Sequence, residues 1–199
     1  MNKIYGVGYL GTEKNVRNNI KCYYVWRGML RRCYDKQVWE KEPTYKNCSV
    51  CEEWHNYTNF KKWYEANYYE IPNENMQIDK DILFKGNLIY SPKTCCICPA
   101  KINSLFVKKK TKEYKNKNGL IGININRKTV KGKTYIYYCS RVCINNKRET
   151  HYFKTKEEAF QDYKNRKEQE IKRVADLYKD KIPKKLYDAM YNYQVEITD

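Results

Sequence analysis

Between Lys108 and Asn118 the chain reads KKKTKEYKNKN, from which no hydrophobic core can be built. Apolar patterning runs up to Phe106 and resumes at Leu120. The stretch therefore predicts a basic linker over 108–118, with one domain over 1–107 and a second over 119–199. A chain of 199 residues is long enough for such a division.

Charge is distributed just as unevenly. The formal net charge is +17, and residues 101–150 hold 14 Lys and Arg against only Glu113 and Glu149. An excess concentrated in a quarter of the chain is the footprint expected of a phosphate-backbone binder. Nucleic acid is the first partner to consider, ahead of an anionic membrane. A solvated basic surface, or a module that meets an acidic protein, has the same composition. No early apolar run resembles a signal peptide, and no window approaches 18 apolar residues. This predicts a cytoplasmic protein with no membrane partner. The nine cysteines are then expected as thiols, metal ligands or core residues, not as a disulfide framework. Abundant Lys, Asn, Tyr and Ile fit an AT-rich coding genome.

Val25, Trp26, Met29, Leu30 and Cys33 share one helical face and predict a helix over Tyr23–Tyr34. Pro43 breaks the pattern. Trp54, Phe60, Trp63 and Tyr64 suggest a second helix over Thr58–Tyr69. Gln77–Leu83 and Asn87–Tyr90 read as strands of a hairpin turning at Phe84-Lys85-Gly86. Cys95–Cys98 is a short apolar run, and Pro99 opens a short helix through Ile102 and Phe106. The second half changes character. Strands are expected over Leu120–Asn126, Thr134–Ile144 and His151–Phe153, with turns at Lys131-Gly132 and Asn145-Asn146. Thr155 with Glu158 is a capping box for a long amphipathic helix that Pro183 ends, and Leu186–Tyr193 reads as a final helix.

Metal-dependent phosphodiester cleavage needs a hard cation on oxygen ligands, a base for water, and charge to stabilise the leaving oxyanion. A strand carrying Asp79, Lys80 and Asp81, followed by a helix carrying Asn103, offers those groups. An ordinary hairpin with a charged edge would also read this way. The residues I-D-K-D (78–81), G-N (86–87), Y-S-P-K-T-C (90–95) and I-N (102–103) resemble the HNH, or ββα-metal, endonucleases. The resemblance implies that Asp79 and Asn103 hold Mg2+ or another divalent metal. Lys80 stands where many members carry the water-activating His. A lysine near its ordinary pKa of about 10.4 is a poor base at neutral pH, although its charge can stabilise a pentavalent phosphate. Some ββα-metal restriction enzymes similarly carry another basic residue after the Asp, with a Tyr implicated in the chemistry. That likeness points to Tyr90.

Cys48-x-x-Cys51 and Cys95-x-x-Cys98 have the spacing of a structural zinc site. Buried free thiols are the competing expectation, and Cys139 and Cys143, four apart on one strand, read as core. In the second half, G-I (122–123), a Lys/Tyr/Arg-rich middle strand, Phe153 and T-K-E-E-A-F-Q-D-Y-K (155–164) resemble the ethylene-response-factor (Apetala-type) DNA-binding domain. That resemblance implies a three-stranded sheet entering the major groove with a helix behind it. Tyr135, Tyr137 and Arg141 share one face of the middle strand, but which face meets DNA is open at this level. Expected contacts are Arg127, Lys128, Lys131, Lys133, Tyr135, Tyr137, Arg141, Lys147 and Arg148, with Lys108, Lys109, Lys110, Lys115 and Lys117 of the linker.

The expected fold class is α+β: N-terminal helices over 1–75, a ββα-metal motif over 76–107, then a three-stranded antiparallel sheet packed on a long helix. The two resemblances, in an order familiar from phage genomes and with a DNA-binding domain that homing endonucleases also carry, imply a metal-dependent double-stranded DNA endonuclease. A homodimer would be needed to cut both strands. The alternative is a catalytically degenerate relative that regulates phage genes or counters a bacterial defence-system protein.

Overall fold

Trp26, Met29, Leu30 and Cys33 recur at helical spacing, and the helix they imply is α1, Ile20–Tyr34, in the computed structural model. Residues 3–13, 15–106 and 121–197 are described. They form a mixture of helix and sheet in two units, Met1–Ser104 and Leu105–Asp199. The expected linker 108–118, with its six lysines, lies outside the described residues.

In the first unit, Asn19 caps α1 by accepting from Cys22 N at 3.1 Å. Asp35 ends α1 and caps the short α2, Lys36–Lys41, through Gln37 N. The second expected helix is α3, Tyr57–Asn67, which buries Tyr57, Phe60 and Tyr64 against α1. Trp54 lies outside it, in a 3-10 turn over Glu52–His55. There its carbonyl accepts the buried Trp26 indole N–H at 2.7 Å, so that polar group is satisfied without water.

The strand pairing differs from the expected hairpin. Strand β2, Met76–Asp79, pairs antiparallel with β4, Cys96–Pro99, from Met76 opposite Pro99 to Asp79 opposite Cys96. Strand β3, Ile89–Tyr90, pairs in parallel with β1, Ser49–Val50. The turn at Phe84-Lys85-Gly86 does form, with Asn87 N donating to Phe84 O and Gly86 at φ +80°. The strand before it stops at Asp79, because the Asp79 carboxylate captures the backbone amides of Asp81 and Ile82. All of β4 is buried, as a central apolar strand should be. Helix α4, Ala100–Phe106, follows β4 without a loop, its first amide donating to Asn75 O at 2.7 Å.

The second unit is a sheet of order β5-β6-β7: Ile123–Val130, Lys133–Ile144 and Lys147–Phe153. Both connections have two residues at positive φ, Lys131-Gly132 and Asn145-Asn146. Such tight turns match the strand twist. Helix α5, Lys156–Tyr178, starts at the Thr155/Glu158 capping box, and α6, Lys184–Tyr191, follows Pro183. Ile123, Val142, Ala159, Tyr163 and Val195 form the core between sheet and helix. Gly122 is indispensable to it: at φ +72° its Cα lies against the Tyr163 ring, and a Cβ there would come within 2.2 Å of that ring. Gly122→Ala is expected to cost about 2–4 kcal/mol, from overpacking plus the left-handed backbone. Thermal or urea unfolding measures it, with Gly132→Ala, where a Cβ meets open space, losing less.

Candidate functional site

Two regions concentrate chemistry. The first is the end of β2. Strand alternation puts Gln77 and Asp79 on one face and Met76, Ile78 and Lys80 on the other, the latter three buried. As the chain leaves the strand, Asp79 Oδ1 accepts from Asp81 N at 2.8 Å and Ile82 N at 2.7 Å. This Asx-type turn brings the Asp81 carboxylate against that of Asp79. Asn87 clasps the far side of the loop, its Nδ2 donating to Lys80 O and Ile89 O, both at 2.7 Å.

The arrangement raises the Asp79 pKa to about 6, through burial first and then the Asp81 charge; the two backbone amides oppose the shift without cancelling it. A carboxyl with a raised folded-state pKa stabilises the fold only while it keeps its proton. The stability of the first unit is therefore expected to fall as pH rises from about 4 to about 6 and to level off above that. Urea titrations at fixed ionic strength, without divalent metal, measure this.

Asn103 on α4 reaches the same face of β2, but its Nδ2 donates to Gln77 Oε1 at 2.7 Å. Gln77 lies two residues, about 7 Å, along the strand from Asp79. The acidic partner that the structure places on Asp79 is Asp81, with the Asn103–Gln77 amide pair next along the face. As a donor set for a hard cation, two mutually repelling carboxylates flanked by amides are chemically apt. Among the described residues, no three His, Cys, Asp or Glu side chains gather to hold a metal ion.

Lys80 and Tyr90 lie on the opposite, buried side. Lys80 is 8% exposed, with its ammonium 3.3 Å from Asp81 Oδ2 and 5.9 Å from the Tyr90 ring centre. Burial pulls this group towards neutrality, but Asp81, Cys48 and Asp79 outweigh it, and the ammonium holds its proton above the usual lysine range. Tyr90 is 3% exposed, and burial pushes its phenol well above the usual tyrosine value. Its hydroxyl accepts from Arg32 Nε at 3.2 Å, and the Arg32 guanidinium also lies over the Tyr45 ring. Neither Lys80 nor Tyr90 is a base at neutral pH. Sequence reasoning missed Arg32, Tyr45 and Gln77. The first two arrive from α1 and the segment before β1, and no local spacing links them to the Asp-Lys-Asp run.

The four cysteines with zinc-like spacing do not converge. Cys48 Sγ donates to Thr44 O, Cys51 lies by the 3-10 turn and Cys95 by Ser91. All nine cysteines are free thiols, and burial raises the pKa of Cys48, Cys51 and Cys95. Among the described residues, these thiols form no group that could hold a metal ion.

The second region is the sheet of the second unit. Ser140 and Val142 face α5: Ser140 donates to Asp162, and Arg166 returns to Ser140 Oγ at 2.6 Å. Asp162 also meets His151 Nδ1 at 3.0 Å. The ladder register then fixes the open face. It carries Asn124, Asn126 and Lys128 of β5, Lys133, Tyr135, Tyr137, Cys139, Arg141 and Cys143 of β6, and Arg148, Thr150 and Tyr152 of β7. A shallow groove on it is lined by Lys128, Tyr137, Tyr152, Phe153 and Lys154, with the Tyr137 and Tyr152 rings edge to face at 5.7 Å. Cys139 is fully buried there, its sulfur accepting from Asn126 Nδ2, whereas Cys143 is exposed. Lys128, Lys133, Tyr135, Tyr137, Arg141 and Arg148 thus share one face. Arg127 and Lys147 point to the other face, and Lys131 sits in the turn. The third strand begins at Lys147 and not at His151; Tyr152, Asn124 and Asn126 lie in expected strands but were missed, because which residues share the open face depends on a register invisible locally.

No helix among the described residues is long and apolar enough to cross a membrane. Comparisons with protein-family models, curated proteins and solved structures find no match to this chain.

Proposed function

We propose that the protein is a divalent-metal-dependent endonuclease of HNH, or ββα-metal, character that nicks or cuts double-stranded DNA held on an Apetala-type sheet. The observation that carries the reading is the Asp79–Asp81 pair: a half-buried carboxylate pressed against another, at the mouth of a strand–loop–strand–helix corner. Mg2+ or a similar cation would supply charge neutralisation of the scissile phosphate and of the leaving oxygen. Asp79 and Asp81 would hold it, assisted by the Asn103 amide. Asp81, with its side chain 43% exposed, is the group positioned to take a proton from water. Lys80 contributes fixed positive charge, and Tyr90 a neutral hydroxyl that keeps Arg32 in place.

The sheet supports the DNA half of the reading. Its open face combines Arg and Lys for phosphates and base edges with the exposed Tyr135 and Tyr152 and the partly exposed Asn124 and Asn126. One corner per chain cuts one strand, so cutting both would take a homodimer or two encounters. A phage origin fits the composition. A second reading, a DNA-binding regulator or counter-defence factor without cleavage, is favoured by one observation: Lys80 stands charged where a base is expected.

Supercoiled-plasmid nicking in Mg2+ and Mn2+, with Asp79→Ala as control, separates the two. Nicking by the wild type alone is the expected result. Salt-sensitive duplex binding with no cut in either metal would establish the second reading.

A further inference from the structure

The Arg32 guanidinium is largely enclosed, yet no carboxylate among the described residues pairs with it; the neighbouring Arg31 takes Asp35 instead. Its recorded hydrogen bond to another side chain runs from Nε to the Tyr90 hydroxyl, and its plane lies 5.5 Å from the Tyr90 ring centre and 5.7 Å from that of Tyr45. The buried Lys80 ammonium shares the Tyr90 ring. The charges of both cations reach Tyr45, Cys33 and Cys48. Of these two cations Lys80 has Asp81 at 3.3 Å and the charge of Asp79 beyond it, whereas the charges that act on Arg32 come from Tyr90, Tyr45 and Cys33 and from no carboxylate. An enclosed guanidinium is stable only when its donors are satisfied and its charge is matched. Tyrosine faces satisfy the first need in part and do not supply an anion.

We propose that Arg32 and Lys80 form a phosphodiester-binding site next to the Asp79–Asp81 pair, with Tyr90 and Tyr45 as the walls that orient the guanidinium. The ligand is a DNA phosphate adjoining the scissile one. The inference rests on the proposed function, and its binding test does not depend on cleavage. Arg32 is a positioning residue: its fork fixes the backbone while the carboxylates act on the neighbouring link.

The test is full-chain duplex binding in EDTA as a function of salt, for wild type, Arg32→Gln and Arg32→Lys. For Arg32→Gln, affinity should fall about 5- to 10-fold and the slope of log K against log salt should shrink by about one. Arg32→Lys should keep most of the slope. The Arg32 Nε–H resonance of wild-type protein, assigned by its loss in Arg32→Lys, should shift saturably as duplex is added. This readout survives even if Arg32→Gln fails to fold. A folded Arg32→Gln with unchanged affinity and slope would overturn the site, as would an Arg32 resonance indifferent to DNA. Wild-type protein that binds no duplex at low salt would overturn both this site and the reading beneath it. Binding without nicking would remove the enzyme alone.

Discussion

Asp79→Asn is expected to abolish metal-dependent nicking while making the metal-free protein more stable. The two effects have one cause. At pH 7 the folded chain must keep Asp79 ionised beside Asp81 in a poorly solvated position, and its pKa rises from 3.8 to about 6 as a result. A shift of that size corresponds to roughly 2–3 kcal/mol of folding energy forgone at neutral pH. Asparagine keeps the oxygen that accepts from Asp81 N and Ile82 N, so the turn survives while the repulsion goes. The substitution should therefore raise the urea midpoint of the first unit, with a gain of about 2 kcal/mol at pH 7 and little gain at pH 4. Losing a metal ligand removes several kcal/mol of transition-state stabilisation, on the order of a 10^3-fold loss in nicking rate. Mg2+ should raise the wild-type melting temperature and leave that of Asp79→Asn unchanged. A destabilised Asp79→Asn, or one that still nicks, would mean that the pair is an ordinary charged turn.

The second large effect concerns which side of the sheet meets DNA. Lys128, Arg141 and Arg148 stand on the open face, one on each strand, whereas Arg127 and Lys147 stand on the face that packs against α5 further along. Replacing the first three by Ala should weaken duplex binding by about 10^2- to 10^3-fold and reduce the salt slope by nearly three. The pair Arg127→Ala and Lys147→Ala should cost about threefold or less. Fluorescence anisotropy over a salt series gives both numbers. Equal losses from the two sets would point to diffuse attraction instead of a binding face. An additional Tyr137→Ala should weaken binding with no change of slope, since an aromatic ring contacts bases or sugars without displacing counterions.

How much of this was legible in the residues follows the range of each interaction. The capping box at Thr155 and Glu158, the Lys131-Gly132 and Asn145-Asn146 turns and the α1 stripe are local, and each forms where the pattern predicts. The expected hairpin failed because period-two alternation says that a segment can be a strand but not which strand it meets. Ile89–Tyr90 turns to Ser49–Val50, and Met76–Asp79 to the cysteine-rich β4. The Asp79–Asp81 contact was readable, since an aspartate that ends a strand commonly captures the next amides. The Arg32–Tyr90 bond was not, because it joins side chains far apart in sequence. The choice of sheet face waited for α5, whose Asp162 and Arg166 seize Ser140 and so reveal which side is covered.

The contrast in ladder connectivity has a kinetic consequence. In the C-terminal sheet every pairing zips outward from a two-residue reversal, so closing it costs little chain entropy and it should form early. The acidic corner assembles only when segments that are distant along the polypeptide find each other, which is the slower kind of search. Its opening should accordingly be more concerted, with the amides of β2 and β4 exchanging together while those near the sheet turns exchange one by one.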